Sequence, residues 1–184
     1  MSDTTRWEEG VREFRDRKDR YLADDPHSPL PPELQDSFEG LDYYPIDPAY
    51  RFELELHEHA DPETVTVHTT TEGERDYLDW GEFRFELGGA ERTLQAFRRD
   101  PADPALWLPF RDETNGEETY GAGRYLDLEP EEDRTADGLW VVDFNLAYNP
   151  FCAYSVHYEC PLVPMENWLA VRVEAGERTF EPPA

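Results

Sequence analysis

The sequence predicts an all-β protein, an antiparallel barrel or sandwich of about eight strands behind one N-terminal amphipathic helix and a proline-rich arm. Apolar and polar residues alternate through several segments, as they do in half-buried strands. Turn signals such as "LGGAE" and Asp137-Gly138 punctuate those segments. Helical spacing of apolar residues is convincing only near the N-terminus.

The helix is expected from Thr5 to Ala23, where Trp7, Val11, Phe14, Tyr21 and Leu22 share a face and Lys18 falls where another apolar residue would stand. Thr5 and Glu8 have the spacing of a capping box, and Asp25-Pro26 ends the helix. The arm that follows is too rich in proline for regular structure, and Phe38, Tyr43, Tyr44 and Tyr50 are its expected anchors. Strands are expected where Phe52, Leu54 and Leu56, then Val65 and Val67, then Phe83, Phe85 and Leu87 alternate with polar residues. "RTLQAF", "GRYLDL", "LWVVDFN" and "WLAVRVEAG" complete the set. At 184 residues the chain suits one well-buried core. Residues 1–37 read as helix and arm, and residues 38–184 as the β domain.

Aromatic residues make up 14% of the chain and hydrophobic residues 38%, enough for a packed interior despite the polar surface. The formal net charge is −26, and one lysine stands against sixteen arginines. Dense carboxylate repels itself unless salt screens it, which points to a salt-loaded cytoplasm of the halophilic archaeal kind. The acids recur along the whole chain rather than in one patch, which argues against nucleic-acid mimicry. Nucleic-acid binding is disfavoured too, because the arginines near Lys18 are interleaved with Glu13, Asp16 and Asp19. No segment has the length and apolarity of a membrane span, and "MSDTTRWEEG" lacks the features of a secretory leader. The protein is expected in the cytoplasm, where thiols stay reduced.

Three blocks, "GLDYYPIDPAYRF", "LPFRDETNGEETYGAGRYLDLEP" and "VVDFNLAYNPFCAYSVHYECPLVPMENWL", occur in order. On these blocks residues 38–177 resemble an uncharacterised prokaryotic family, domain of unknown function 1684, in a haloarchaeal form. The resemblance implies a shared fold and a shared site, with no chemistry attached. A further proline expected within "PLVPMEN" is missing, which alters local turn geometry.

The polar residues of these blocks are the candidate ligand-binding set: Asp112, Thr114, Glu118, Tyr120, Arg124, Asp143, Asn145, Tyr148, Asn149, Glu166 and Asn167, together with Cys152 and Cys160. Asp143 and Asn145 share a face at the end of an apolar strand, where burial demands partners. Arg124 is the natural partner for Asp112, Glu118 or Asp143, because its planar fork matches a carboxylate. Two readings stay open. The set lines a pocket for a small, anionic molecule, with acid–base chemistry through Asp112 and Glu118; or it is a buried network that latches proline-rich loops in a non-catalytic structural or protein-interaction module whose partner is another protein.

Metal sites are incomplete in the sequence. Cys152, His157 and Cys160 supply three ligands of types that zinc accepts but not a fourth, and the thiols read first as small apolar side chains and second as a local disulfide. His57, His59 and Glu63 match half of a cupin metal set, the basis of a further, metal-dependent alternative, yet the second half is missing. No Gly-x-Ser-x-Gly or phosphate loop occurs, and "YGAGRY" reads as a close backbone approach rather than a dinucleotide fingerprint. No cofactor is implied.

Overall fold

The computed structural model describes residues 2–182. Helix α1 spans Asp3–Asp24, and its N-cap is Ser2, whose side chain accepts the Thr5 N–H at 3.2 Å. The helix therefore begins one turn before the expected capping box, and Glu8 pairs with Arg12 at 3.1 Å instead. Asp25 caps the far end, as expected. In the arm a four-residue helix, α2 (Pro32–Gln35), starts on a proline that fits the first helical turn. Leu30 is buried there with Leu22 and Tyr154, and Phe38 packs against them.

Seven strands follow among the described residues: β1 (Arg51–Leu54), β2 (His57–His68), β3 (Glu74–Leu87), β4 (Ala90–Arg98), β5 (Leu106–Phe110), β6 (Arg124–Leu128) and β7 (Trp140–Asp143). They form an antiparallel five-stranded sheet in the order β2-β3-β4-β5-β6 and a two-stranded ribbon β1-β7. The fold is mostly β with one long N-terminal helix, and the strand ladder does not close into a barrel. The β3–β4 hairpin turns on Gly88 and Gly89, with φ of 64° and 78°, values that glycine adopts without steric cost.

Alternation works as read where one face is covered. Phe83 and Phe85 of β3 are buried together with Leu94, Leu108, Leu126 and Val142 in one core. The ribbon closes this core: Phe52 of β1 lies 5.0 Å from Phe85, and Phe144 meets Phe110 edge-on at 5.1 Å. Burying each such ring or leucine stabilises the fold by about 1.5–3 kcal/mol.

One strand is unanticipated and one expectation needs correction. "LWLPF" is a strand, β5, which its near-continuous apolarity, without alternation, does not mark. "WLAVRVEAG" is not a strand but an irregular extended segment. The carbonyls of Val173 and Ala175 within it, and of Glu177 just after it, are taken by the Arg124 guanidinium, so no neighbouring strand supplies their donors.

Candidate functional site

Several of the candidate polar residues, Asp112, Arg124, Asn145, Asn149 and Asn167, do a common job: their side chains bond backbone groups that no strand partner serves. Arg124, on β6, is completely buried. Its Nη2 donates to Asp112 Oδ1 at 3.3 Å and to the Val173 carbonyl at 2.8 Å, while Nη1 donates to the carbonyls of Ala175 and Glu177. Asp112 Oδ2 accepts the Thr114 hydroxyl and the Val173 N–H, both at 2.7 Å. Burial pushes Arg124 below its ordinary value, and the adjacent Asp112 opposes that shift. Gly123 makes the approach possible, because at its φ of 107° a Cβ would lie 2.7 Å from the Phe110 carbonyl oxygen.

Asn167 acts in the same way between β4 and β5. Pro109 has no N–H to give, and the Asn167 amide fills the gap. Its Oδ1 accepts the Gln95 N–H at 2.7 Å, and its Nδ2 donates to the carbonyls of Gln95 at 2.9 Å and Pro109 at 2.8 Å. Asn145 pairs with both backbone groups of Asp47 at 2.9 Å. Asp143 accepts from Asn145 at 2.8 Å and from the Trp7 indole at 2.7 Å, which ties α1 to the ribbon. Asn149 donates its N–H to Glu177 at 2.8 Å and its amide to the Arg178 carbonyl at 2.9 Å.

The remaining candidates scatter. Of the three carboxylates offered to Arg124, only Asp112 reaches it. Glu118 is bound instead by the Tyr44 hydroxyl at 2.5 Å and by Arg172 at 3.0 Å, donors that hold its carboxyl below the usual range. Glu166 is exposed on a single turn, Met165–Asn167. His59 is bound at 3.0 Å by Gln95 and at 3.2 Å by Asp79, and an irregularity in the β2–β3 register separates His57 from Glu63. Among the described residues no three His, Cys, Asp or Glu side chains assemble as a metal set.

A cleft of about 540 Å³ opens on the other face of the sheet edge, lined from β3 to β6 and by residues 148–161. Tyr77 and Trp107 stack there at 4.5 Å, and Tyr125 meets Trp107 edge-on at 5.2 Å. Tyr148 and Cys160 are the members of the candidate set that line it. The Tyr125 hydroxyl donates to the Pro161 carbonyl and the Tyr148 hydroxyl to Asp127, so both rings are fixed at their tips. Burial pushes both phenols well above their ordinary range.

Arg75 and Arg99 stand exposed on this cleft. Three of its carboxylates are already occupied: Asp127 accepts the Tyr148 hydroxyl, Glu159 accepts the hydroxyls of Thr69 and Thr71 at 2.6 Å, and Asp103 accepts the Ala105 N–H at 3.0 Å. Sequence reasoning missed this cleft because its walls come from strands whose aromatic residues read only as core. It also missed Glu177, the buried partner of Lys18; the solitary lysine on an otherwise apolar helix face was the available signal.

These features define a β-domain in which buried side-chain staples hold an irregular C-terminal segment beside an open aromatic cleft. The chain belongs to the family described as protein of unknown function (DUF1684), whose family model matches residues 36–178. It is similar to an uncharacterized protein of Haloarcula marismortui, known from a solution NMR structure, with 44% sequence identity over 96% of each chain and a TM-score of 0.73. No curated protein matches the chain. No helix among the described residues is long and apolar enough to cross a membrane.

Proposed function

We propose that the protein is a cytoplasmic, salt-adapted binding domain for a planar aromatic molecule bearing an anionic group, held in the cleft rather than among the buried polar residues. The observation behind this reading is the cleft lining: the stacked pair of Tyr77 and Trp107, the rings of Tyr125 and Tyr148, and two exposed arginines, Arg99 and Arg75, the latter donating to the Glu159 carbonyl at 3.0 Å, in a chain where 43 acidic residues face 17 basic ones. Its volume falls within the roughly 300–1,000 Å³ of small-molecule sites. Fixed ring tips favour a flat guest, since they lose little freedom on binding. The Arg124–Asp112 network supports a purely structural role for the other candidates, because both Arg124 Nη atoms and both Asp112 oxygens are engaged within the protein, only the buried Arg124 Nε lacks a partner, and neither residue lines the cleft.

The test is titration in molar KCl with the aromatic anion 8-anilinonaphthalene-1-sulfonate and with its neutral relative N-phenyl-1-naphthylamine. The anion should bind at one site and quench wild-type emission more than that of Trp107→Phe. Arg99→Gln should weaken the anion about tenfold and leave the neutral probe unchanged. Equal affinity for both probes would remove the anionic part of the reading, and no binding of either would remove the cleft as a site.

A further inference from the structure

We propose that Cys152 and Cys160 are a redox-active dithiol that exchanges with low-molecular-weight disulfides, Cys152 attacking and Cys160 resolving. The segment between them, opened by a single turn over Phe151–Ala153, folds back on itself. The Cys152 N–H donates to Cys160 Sγ at 3.4 Å, so the second sulfur sits at the start of the loop. Thr70 anchors Cys160 on both sides: its hydroxyl accepts the Cys160 N–H at 3.2 Å, and its N–H donates to the Cys160 carbonyl at 2.9 Å. The Tyr120 hydroxyl lies 3.4 Å from Cys152 Sγ. Both cysteines are free thiols, Cys152 half-exposed and Cys160 buried.

The two sulfurs are unequal in the way exchange requires. Donation from the Cys160 thiol, with help from Tyr120 and against burial, brings Cys152 down to about 6, whereas the same bond and burial push Cys160 well above the ordinary thiol value. The lowered Cys152, half-exposed where Cys160 is buried, is the sulfur that ionises first, and the thiolate is the nucleophile. Two thiols packed merely as small apolar groups need no such donors. His157 plays no part, since its ring is exposed at the loop tip.

The steps balance. The Cys152 thiolate attacks one sulfur of a disulfide RS–SR, forming Cys152–S–S–R and releasing RS⁻. Cys160 gives its proton to that thiolate and attacks the Cys152 sulfur, expelling the second RS⁻, which takes from solvent the proton that Cys152 lost on ionising. The protein dithiol is oxidised by two electrons to a disulfide, and RS–SR is reduced to two RSH. The chemistry is independent of any cleft ligand, although Cys160 lines the cleft and closure would move its wall.

The test treats folded protein in molar KCl with bis(2-hydroxyethyl) disulfide and follows mass and free thiols. Wild type should lose both thiols together without forming intermolecular disulfides. Cys160→Ser should trap the hydroxyethyl adduct at Cys152, about tenfold faster than Cys152→Ser acquires one at Cys160. Inert thiols in the folded protein, intermolecular bridges alone, or equal adduct rates in the two variants would overturn the proposal. If either variant fails to fold, iodoacetamide labelling of wild type against pH decides: labelling of Cys152 half-maximal near the value of about 6 supports it, and labelling of both thiols at the ordinary thiol value overturns it.

Discussion

Lys18, the single lysine of the chain, is ion-paired with Glu177 beneath two tyrosine rings, its nitrogen 4.8 Å from the centre of Tyr148 and 5.9 Å from that of Tyr154. The Glu177 side chain is 1% exposed and also accepts from the Tyr154 hydroxyl at 2.5 Å. A buried carboxylate needs a matching charge, and a compact ammonium enters a space between rings that a planar guanidinium would have to pry open. The pair bolts α1 to the segment that Arg124 holds from the opposite side.

Lys18→Met should therefore cost about 3–5 kcal/mol, the effect of stranding a buried charge, while the double variant Lys18→Met, Glu177→Gln should recover part of the loss. Denaturant unfolding of the single and double variants in molar KCl measures the coupling. Additive losses would show that the pair does not act as a unit.

Arg124→Ala should likewise cost about 3–5 kcal/mol, because it leaves Asp112 buried and three carbonyls without donors. Thermal unfolding at fixed molar salt checks this. A near-native transition would mean that the group is wet and open rather than a closed latch.

Asn167→Ala removes a side chain that serves the Gln95 N–H and the carbonyls of Gln95 and Pro109. The expected cost is about 1–3 kcal/mol. Amide exchange should locate it, with protection lost first at Gln95 and kept in the β3–β4 hairpin.

Asp19 accepts the Leu41 N–H at 3.1 Å and the Tyr43 hydroxyl at 3.0 Å, yet burial outweighs these bonds and raises its pKa. A raised folded value means that the folded state binds the proton more tightly than the unfolded chain does. Asp19 thus favours folding below the ordinary carboxylate range and loses that contribution as pH rises through the raised value. Asp19→Asn can keep both bonds at Oδ1 without the charge. Its melting temperature relative to wild type should rise as pH climbs from about 3 to 7. A constant difference across that range would contradict this account.

Melting temperature should climb with KCl, because screening relieves repulsion in a chain of net charge −26 whose net stability is only about 5–15 kcal/mol. A flat profile between dilute buffer and molar salt would exclude salt adaptation. Repeating the series with Lys18→Met separates this general screening from the buried pair, which salt reaches poorly.

Elements whose signal is local were legible in the sequence. Period-two alternation marked β3 through Phe83 and Phe85, the Gly88-Gly89 turn marked its hairpin, and the spacing of Val11 and Leu22 marked α1. The three blocks identified the family, and their polar residues were legible as a group that burial would force into partnership. Tertiary structure alone decided who those partners are. Arg124 takes carbonyls about fifty residues downstream, with separations of 49 to 53 between donor and acceptor, and so turns an expected strand into stapled irregular chain. The cleft was equally hidden: an aromatic residue alternates in the same way whether its covered face meets a core or an open pocket, and only the packing of β3 to β6 against residues 148–161 distinguishes the two. Sequence spacing records which side of a strand a residue faces, but what lies on that side is set by long-range contacts that no local pattern encodes.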